Sequence, residues 1–117
     1  MTDSTTLTSP MGSDPRIAPR IHLIGIGGVG MAGLAVLLKA RGCAVSGCDL
    51  QRSARTRWLE AQGIRVDVGH DPAHVAAADA VIVTPAVRPD NPERVAAAGR
   101  LRFRGDVLAE LVSAAPD

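Results

Sequence analysis

The chain has 117 residues, 46% of them hydrophobic, and 13 Lys and Arg against 12 Asp and Glu give a net charge of +1. That length suits one domain burying roughly two-thirds of the surface its unfolded chain exposes, and the apolar fraction excludes global disorder. Near-neutrality supplies no field for a polyanion. With Trp58 and Phe103 as the only aromatics, stacking platforms for single strands are missing too, so nucleic acid is excluded as a partner.

Residues 1–19 are rich in Ser, Thr, Pro and Asp and contain no apolar run, so they read as a disordered leader before a domain at 20–117. Without an apolar h-region they cannot act as a secretory signal. No segment approaches the roughly 18 apolar residues of a membrane span. The expectation is a soluble, cytoplasmic protein with no membrane partner.

From Arg20 the pattern changes. Residues 21–24 form a short apolar run closed by glycine, a buried strand. Residues 28–41 carry Val29, Met31, Leu34, Leu37 and Leu38 at helical spacing and end at Gly42. A second strand covers 44–48 and ends at Asp49. A helix over 53–62 follows, with Trp58, Leu59 and Ala61 as its packed side, and then a third strand at 64–68. Asp71-Pro72 pairs an N-cap with a proline at the first helical position and starts a short helix. Residues 80–83 form the most apolar strand, expected at the centre. Asn91-Pro92 starts a helix over 93–98, followed by a weak fifth strand at 101–103 and a last helix at 107–114. Regular alternation with short connections predicts a single α/β domain: a Rossmann-like open parallel five-stranded sheet with helices on both faces.

Cys43 and Cys48 flank the second strand, match no zinc spacing, and read as two small buried hydrophobes in a reducing compartment. No metal cluster is readable. Asp79, Asp90 and Glu93 fit strand edges or helix caps better than acid–base roles, and His22 and His74 read as structural or solvent-facing.

Gly25, Gly27 and Gly30 satisfy G-x-G-x-x-G directly after the first strand and at the opening of the first helix. In such a loop the first glycine allows the turn, the second lets a phosphate approach the backbone, and the third lets helix and strand pack closely. Exposed N–H groups and the helix dipole then make an anion site. Asp49, about 20 residues on at the end of the second strand, matches the carboxylate that holds a ribose hydroxyl. It favours a free ribose diol, as in NAD, FAD or UDP. Arg52, Arg55 and Arg57 either hold further phosphate or form a solvated helix face. The site is expected at the carboxyl ends of the strands, where open α/β sheets bind ligands.

Four blocks carry a family resemblance: residues 21–31, residues 45–50, Gly69-His70-Asp71, and Pro89-Asp90-Asn91-Pro92-Glu93. In this order and spacing they resemble the N-terminal, UDP-substrate-binding domain of the UDP-N-acetylmuramate–L-alanine ligases, within the Mur ligase family. The resemblance implies a domain that binds UDP-N-acetylmuramate. On it, Gly25, Gly27, Gly28, Val29, Gly30 and Met31 would face the diphosphate, with Asp49 and His70 near the uridine. Thr84, Pro85 and Ala86 would complete the crevice. Unaided, His70 would read as a surface turn residue. The family usually shows Ser-Ser-Ala-Ile where this chain has Thr84-Pro85-Ala86-Val87, and proline there removes a hydroxyl and an N–H donor together. Cys48 stands where the family usually has serine.

By the same resemblance, ATP and Mg2+ belong to a central ATPase domain and the amino acid to a C-terminal domain. No G-x-x-x-x-G-K-[ST] occurs here, and Lys39 is the only lysine. The expectation is therefore a chain that binds substrate, names no catalytic residue, and holds no cofactor of its own. Two other classes compete on the glycine loop alone. One is an NAD(P)-binding oxidoreductase domain, and the other is a nucleotide-sensing regulatory module, which would dimerise.

Overall fold

The computed structural model describes residues 19–114. The leader assigned to residues 1–19 lies outside the described residues except for Pro19, whose carbonyl accepts the Ala44 N–H at 2.9 Å. Five strands, β1 (Arg20–Ile24), β2 (Ala44–Asp49), β3 (Arg65–Val68), β4 (Ala80–Val83) and β5 (Leu101–Phe103), form a parallel sheet in the order β3-β2-β1-β4-β5. β1, rather than β4, is central. β4 is the most apolar strand because helices cover both its faces, and one place off centre meets that condition equally well.

The helices are α1 (Met31–Ala40), α2 (Ala54–Ala61), α3 (Pro92–Ala96) and α4 (Arg104–Ala114), with 3-10 turns at Pro72–Val75 and Ala98–Arg100. Among the described residues no helix is long and apolar enough to cross a membrane. Their starts follow the sequence signals. Ser53 and Thr56 form a reciprocal capping box, Asp71 caps Ala73, and Asn91 caps Glu93 and Arg94.

Three expected packing residues lie elsewhere, one of them Ala61, which is exposed on α2. Val29, counted with the first helix, sits in the loop before it and is 85% exposed. Trp58 is 46% exposed, because α2 docks through Thr56 and Leu59. One residue's step turns about 100° around a helix, so Trp58 swings off that docking line.

Alternating side chains send the strands' residues to two faces. On one, Leu23, Val66 and Ile82 pack with Leu34 and Leu38 of α1, Leu59 of α2, and Val107 and Leu111 of α4. On the other, Ile24, Cys48, Val81 and Val83 meet Val75 and Ala97. His22 and Glu93, both fully buried, add a polar patch to the fold's interior.

Gly47 of β2 is bare so that Ile26, from the loop after β1, can sink to full burial. A Cβ at Gly47 would stand 2.4 Å from Ile26 Cδ1. Gly47→Ala is therefore expected to destabilise the chain by about 1–3 kcal/mol through overpacking, read as a lowered urea midpoint. An unchanged midpoint would contradict this packing.

Candidate functional site

The connections leaving the carboxyl ends of the strands converge. β1 runs into the glycine loop, β2 ends at Asp49, β3 leads to Gly69 and His70, and β4 leads to Thr84. The strand order reverses between β1 and β4, where an open sheet forms a crevice. A cleft of about 670 Å3 lies there, lined by Ile24, Gly25, Gly28, Val29, Met31, Asp49, Leu50, His70, Thr84, Ala86, Val87, Arg88, Asp90, Asn91 and Pro92. Its size is that of a small-molecule site.

Of the residues expected at the site, Gly25, Gly28, Val29, Met31, Asp49, His70, Thr84 and Ala86 line this cleft, whereas Gly27, Gly30 and Pro85 do not. Gly27 lies behind the loop. Its N–H donates to Asp49 Oδ2 at 2.8 Å, and a Cβ there would stand 2.7 Å from that oxygen. The second glycine of the motif therefore admits a protein carboxylate, where the sequence reading had it admit a phosphate. Gly30 caps α1 with φ +84°, a conformation that disfavours side chains, and faces the Arg104 guanidinium. Pro85 is exposed in a turn closed by Val87 N–H to the Thr84 carbonyl at 3.0 Å, a position that suits proline. Thr84 and Ala86, its neighbours, face the cleft.

Most of the loop's N–H groups are already used. Gly25 and Ile26 both donate to the Cys48 carbonyl, at 2.8 and 3.0 Å, and Gly28 donates to the Gly25 carbonyl at 2.9 Å. Met31 donates to the Gly28 carbonyl at 3.1 Å. The N–H groups of Val29 and Gly30 have no partner among the described residues. They stand at the start of α1, where the helix dipole favours an anion. Asp49 takes the Gly27 N–H on Oδ2 and the Leu50 N–H on Oδ1, which leaves about half of its lone-pair sites for a ligand hydroxyl.

The arginines divide by location. Arg52 pairs with Glu60 on the surface, while Arg55 donates to the Gly27 carbonyl at 2.9 Å and braces the loop from outside. Arg88, at the cleft rim, pairs with Asp90 at 3.0 Å, and both are well exposed. Arg88 and Arg104 were not singled out from the sequence. They follow strand ends by a few residues, which is the signal that could have found them.

Behind the cleft lies the larger surprise. Glu93, read from sequence as a cap, is fully buried. It accepts from His70 Nδ1 at 2.9 Å, from His74 Nδ1 at 2.5 Å, and from the Asp71 N–H at 3.4 Å. Burial alone would raise the Glu93 pKa. Hydrogen bonds from the Cys48 thiol, His74, His70 and the Asp71 backbone outweigh it and hold the carboxyl below its ordinary value. Glu93 is thus a buried anion that orients His70, whose side chain is one-third exposed to the cleft. His22 is lowered to about 4 by burial, partly opposed by Glu93, so it is neutral. His22, Cys48 and Glu93 bring their donor atoms within 4.8 Å of one another. Spacings of 26 and 45 residues match no local metal motif, so no short pattern marks the group.

Fold and cleft together define a class: an open parallel α/β domain with a glycine loop at its switch point. The pattern of the Mur ligase family, catalytic domain, matches residues 20–115, and the chain belongs to the Mur ligase family. It is similar to the UDP-N-acetylmuramate–L-alanine ligases of Burkholderia mallei (strain SAVP1) and Burkholderia pseudomallei (strain 668). Each is 53% identical over 100 residues, which cover 82% of this chain and 21% of the relative. Among solved structures, the UDP-N-acetylmuramate–alanine ligase from Thermotoga maritima matches with a TM-score of 0.76 and 35% identity, covering 81% of this chain and 23% of that one. A murein peptide ligase from Psychrobacter arcticus 273-4 matches at 0.70 and 30%, covering 80% and 20%. The chain spans about a fifth of the length of these relatives.

Both cysteines are free and buried. Burial pushes the Cys43 thiol up to about 11, and burial together with the neighbouring Glu93 pushes Cys48 up further. Since the thiolate is the nucleophile, neither should be labelled by iodoacetamide at pH 7.5 in the folded chain, and both should be labelled in urea. Rapid native labelling of either would contradict the burial described.

Proposed function

We propose that this chain is the UDP-N-acetylmuramate-binding domain of an ATP-dependent UDP-N-acetylmuramate–L-alanine ligase of peptidoglycan precursor synthesis. The observation that carries the reading is the 53% identity to such ligases across the segment that builds the switch-point cleft. On this reading the diphosphate sits over the free N–H groups of Val29 and Gly30. Asp49 accepts from a hydroxyl of the uridine side, and Nε2 of His70, its ring held through Nδ1 by Glu93, contacts the same end. Thr84 and Ala86 close the opposite wall. ATP, Mg2+ and the amino acid are assigned to the ligase's central and C-terminal domains, and the reaction to the whole enzyme. These 117 residues bind and do not catalyse. A cytoplasmic location follows from the same reading. The oxidoreductase and sensor readings gain nothing from the relatives named above, each of which is a ligase by name.

Isothermal calorimetry with UDP-N-acetylmuramate, UDP, NAD and ATP tests this directly. The UDP compounds are expected to bind and NAD is not. Val29→Glu, at an exposed residue that does not disturb the core, places a negative charge at the diphosphate position and should weaken UDP binding at least tenfold. Binding of NAD alone, or UDP binding indifferent to Val29→Glu, would sink the assignment.

A further inference from the structure

The polar group behind the cleft has more donors than its hydrogen bonds use. His22 is fully buried, and its Nε2 has no partner. Its other nitrogen, Nδ1, lies 2.9 Å from Ser46 Oγ. With Nδ1 donating to that hydroxyl, Nε2 presents a bare lone pair. A buried polar atom without a partner is costly. The space it shares is occupied by the Cys48 thiol and the Glu93 carboxylate, all three donor atoms within 4.8 Å.

We propose that His22, Cys48 and Glu93 form a binding site for a borderline-soft divalent cation of the zinc class, seated behind the cleft between β1, β2 and α3. Three features carry it. Imidazole, thiolate and carboxylate together suit zinc and disfavour magnesium and calcium, which take oxygen ligands. The Ser46 contact fixes the ring of His22 as outer partners fix metal-binding histidines. Charge also balances: Zn2+ with one thiolate, one carboxylate and a neutral imidazole is a net-neutral buried centre, and the proton displaced from Cys48 leaves to solvent.

Tetrahedral zinc needs donor separations of about 3.5 Å, so the cluster must draw in by roughly an ångström at its widest pair. His74 Nδ1 is committed as a donor to Glu93 Oε2 at 2.5 Å, so the fourth position falls to water. Bound there, the ion ties β1 and β2 to α3 and steadies the carboxylate that orients His70. The inference stands independently of which nucleotide fills the cleft.

The test uses the untagged, metal-free 117-residue chain titrated with Co2+ and Zn2+. One equivalent of Co2+ should give a near-ultraviolet thiolate-to-cobalt band that persists in Cys43→Ser and is lost in Cys48→Ser. Zn2+ should raise Tm by roughly 5–10 °C, reversibly with a chelator. A folded chain with no such band at one equivalent, or a band that follows Cys43 instead of Cys48, overturns the proposal. Should Cys48→Ser fail to fold, zinc-edge X-ray absorption of the wild-type chain decides. One sulfur near 2.3 Å supports the site, and a shell of nitrogen and oxygen alone overturns it.

Discussion

The glycine loop is fastened to the end of β2, and the geometry of the cleft depends on that attachment. The Cys48 carbonyl takes two consecutive N–H groups of the loop, the Asp49 carboxylate takes the third, and Ile26 drops into the space that Gly47 leaves bare. The loop is thereby held open before any ligand arrives, which lowers the ordering cost of binding. The same bonds limit what the loop can offer. Its outward donors are reduced to Val29 and Gly30, at the point where the dipole of α1 adds to them. Asp49 therefore has a structural duty beside any contact with a sugar, and its position is set by the loop it holds.

On the far face of the sheet a second constraint operates. A fully buried carboxylate among strands must be matched by donors, and Glu93 collects them from β2, from the segment after β3 and from the turn at Pro72–Val75. That set gives His70 a defined orientation at the cleft. A residue on α3 thus shapes the end of the site formed by β3. The two constraints meet at Cys48, whose carbonyl holds the loop and whose thiol faces Glu93.

The elements were largely legible because their signals are local. Apolar runs marked the strands, and Ser53, Asp71 and Asn91 marked helix starts, each making the capping contact its type implies. Parallel order and the switch-point cleft followed from alternation alone. What sequence could not show were contacts made across the sheet. Trp58 looked like packing because hydrophobicity does not reveal which side of a short helix docks. Pro85 looked damaging because its outward direction depends on the turn around it. Glu93 looked like a cap because its partners, at Cys48, His70 and His74, come from three other segments. Gly27 kept its place in the motif and changed its task, since a carboxylate and a phosphate ask the same thing of a backbone: no side chain in the way.

On the proposed reading, the ligand's diphosphate is received by the two N–H groups left free by an otherwise self-satisfied loop. The most direct measurement is a 15N heteronuclear NMR titration of the chain with UDP-N-acetylmuramate. The largest downfield amide shifts are expected at Val29 and Gly30, with Gly25, Ile26 and Gly27 moving far less because their hydrogen bonds are already made. Shifts centred on Gly25 to Gly27, or confined to residues away from the start of α1, would contradict it.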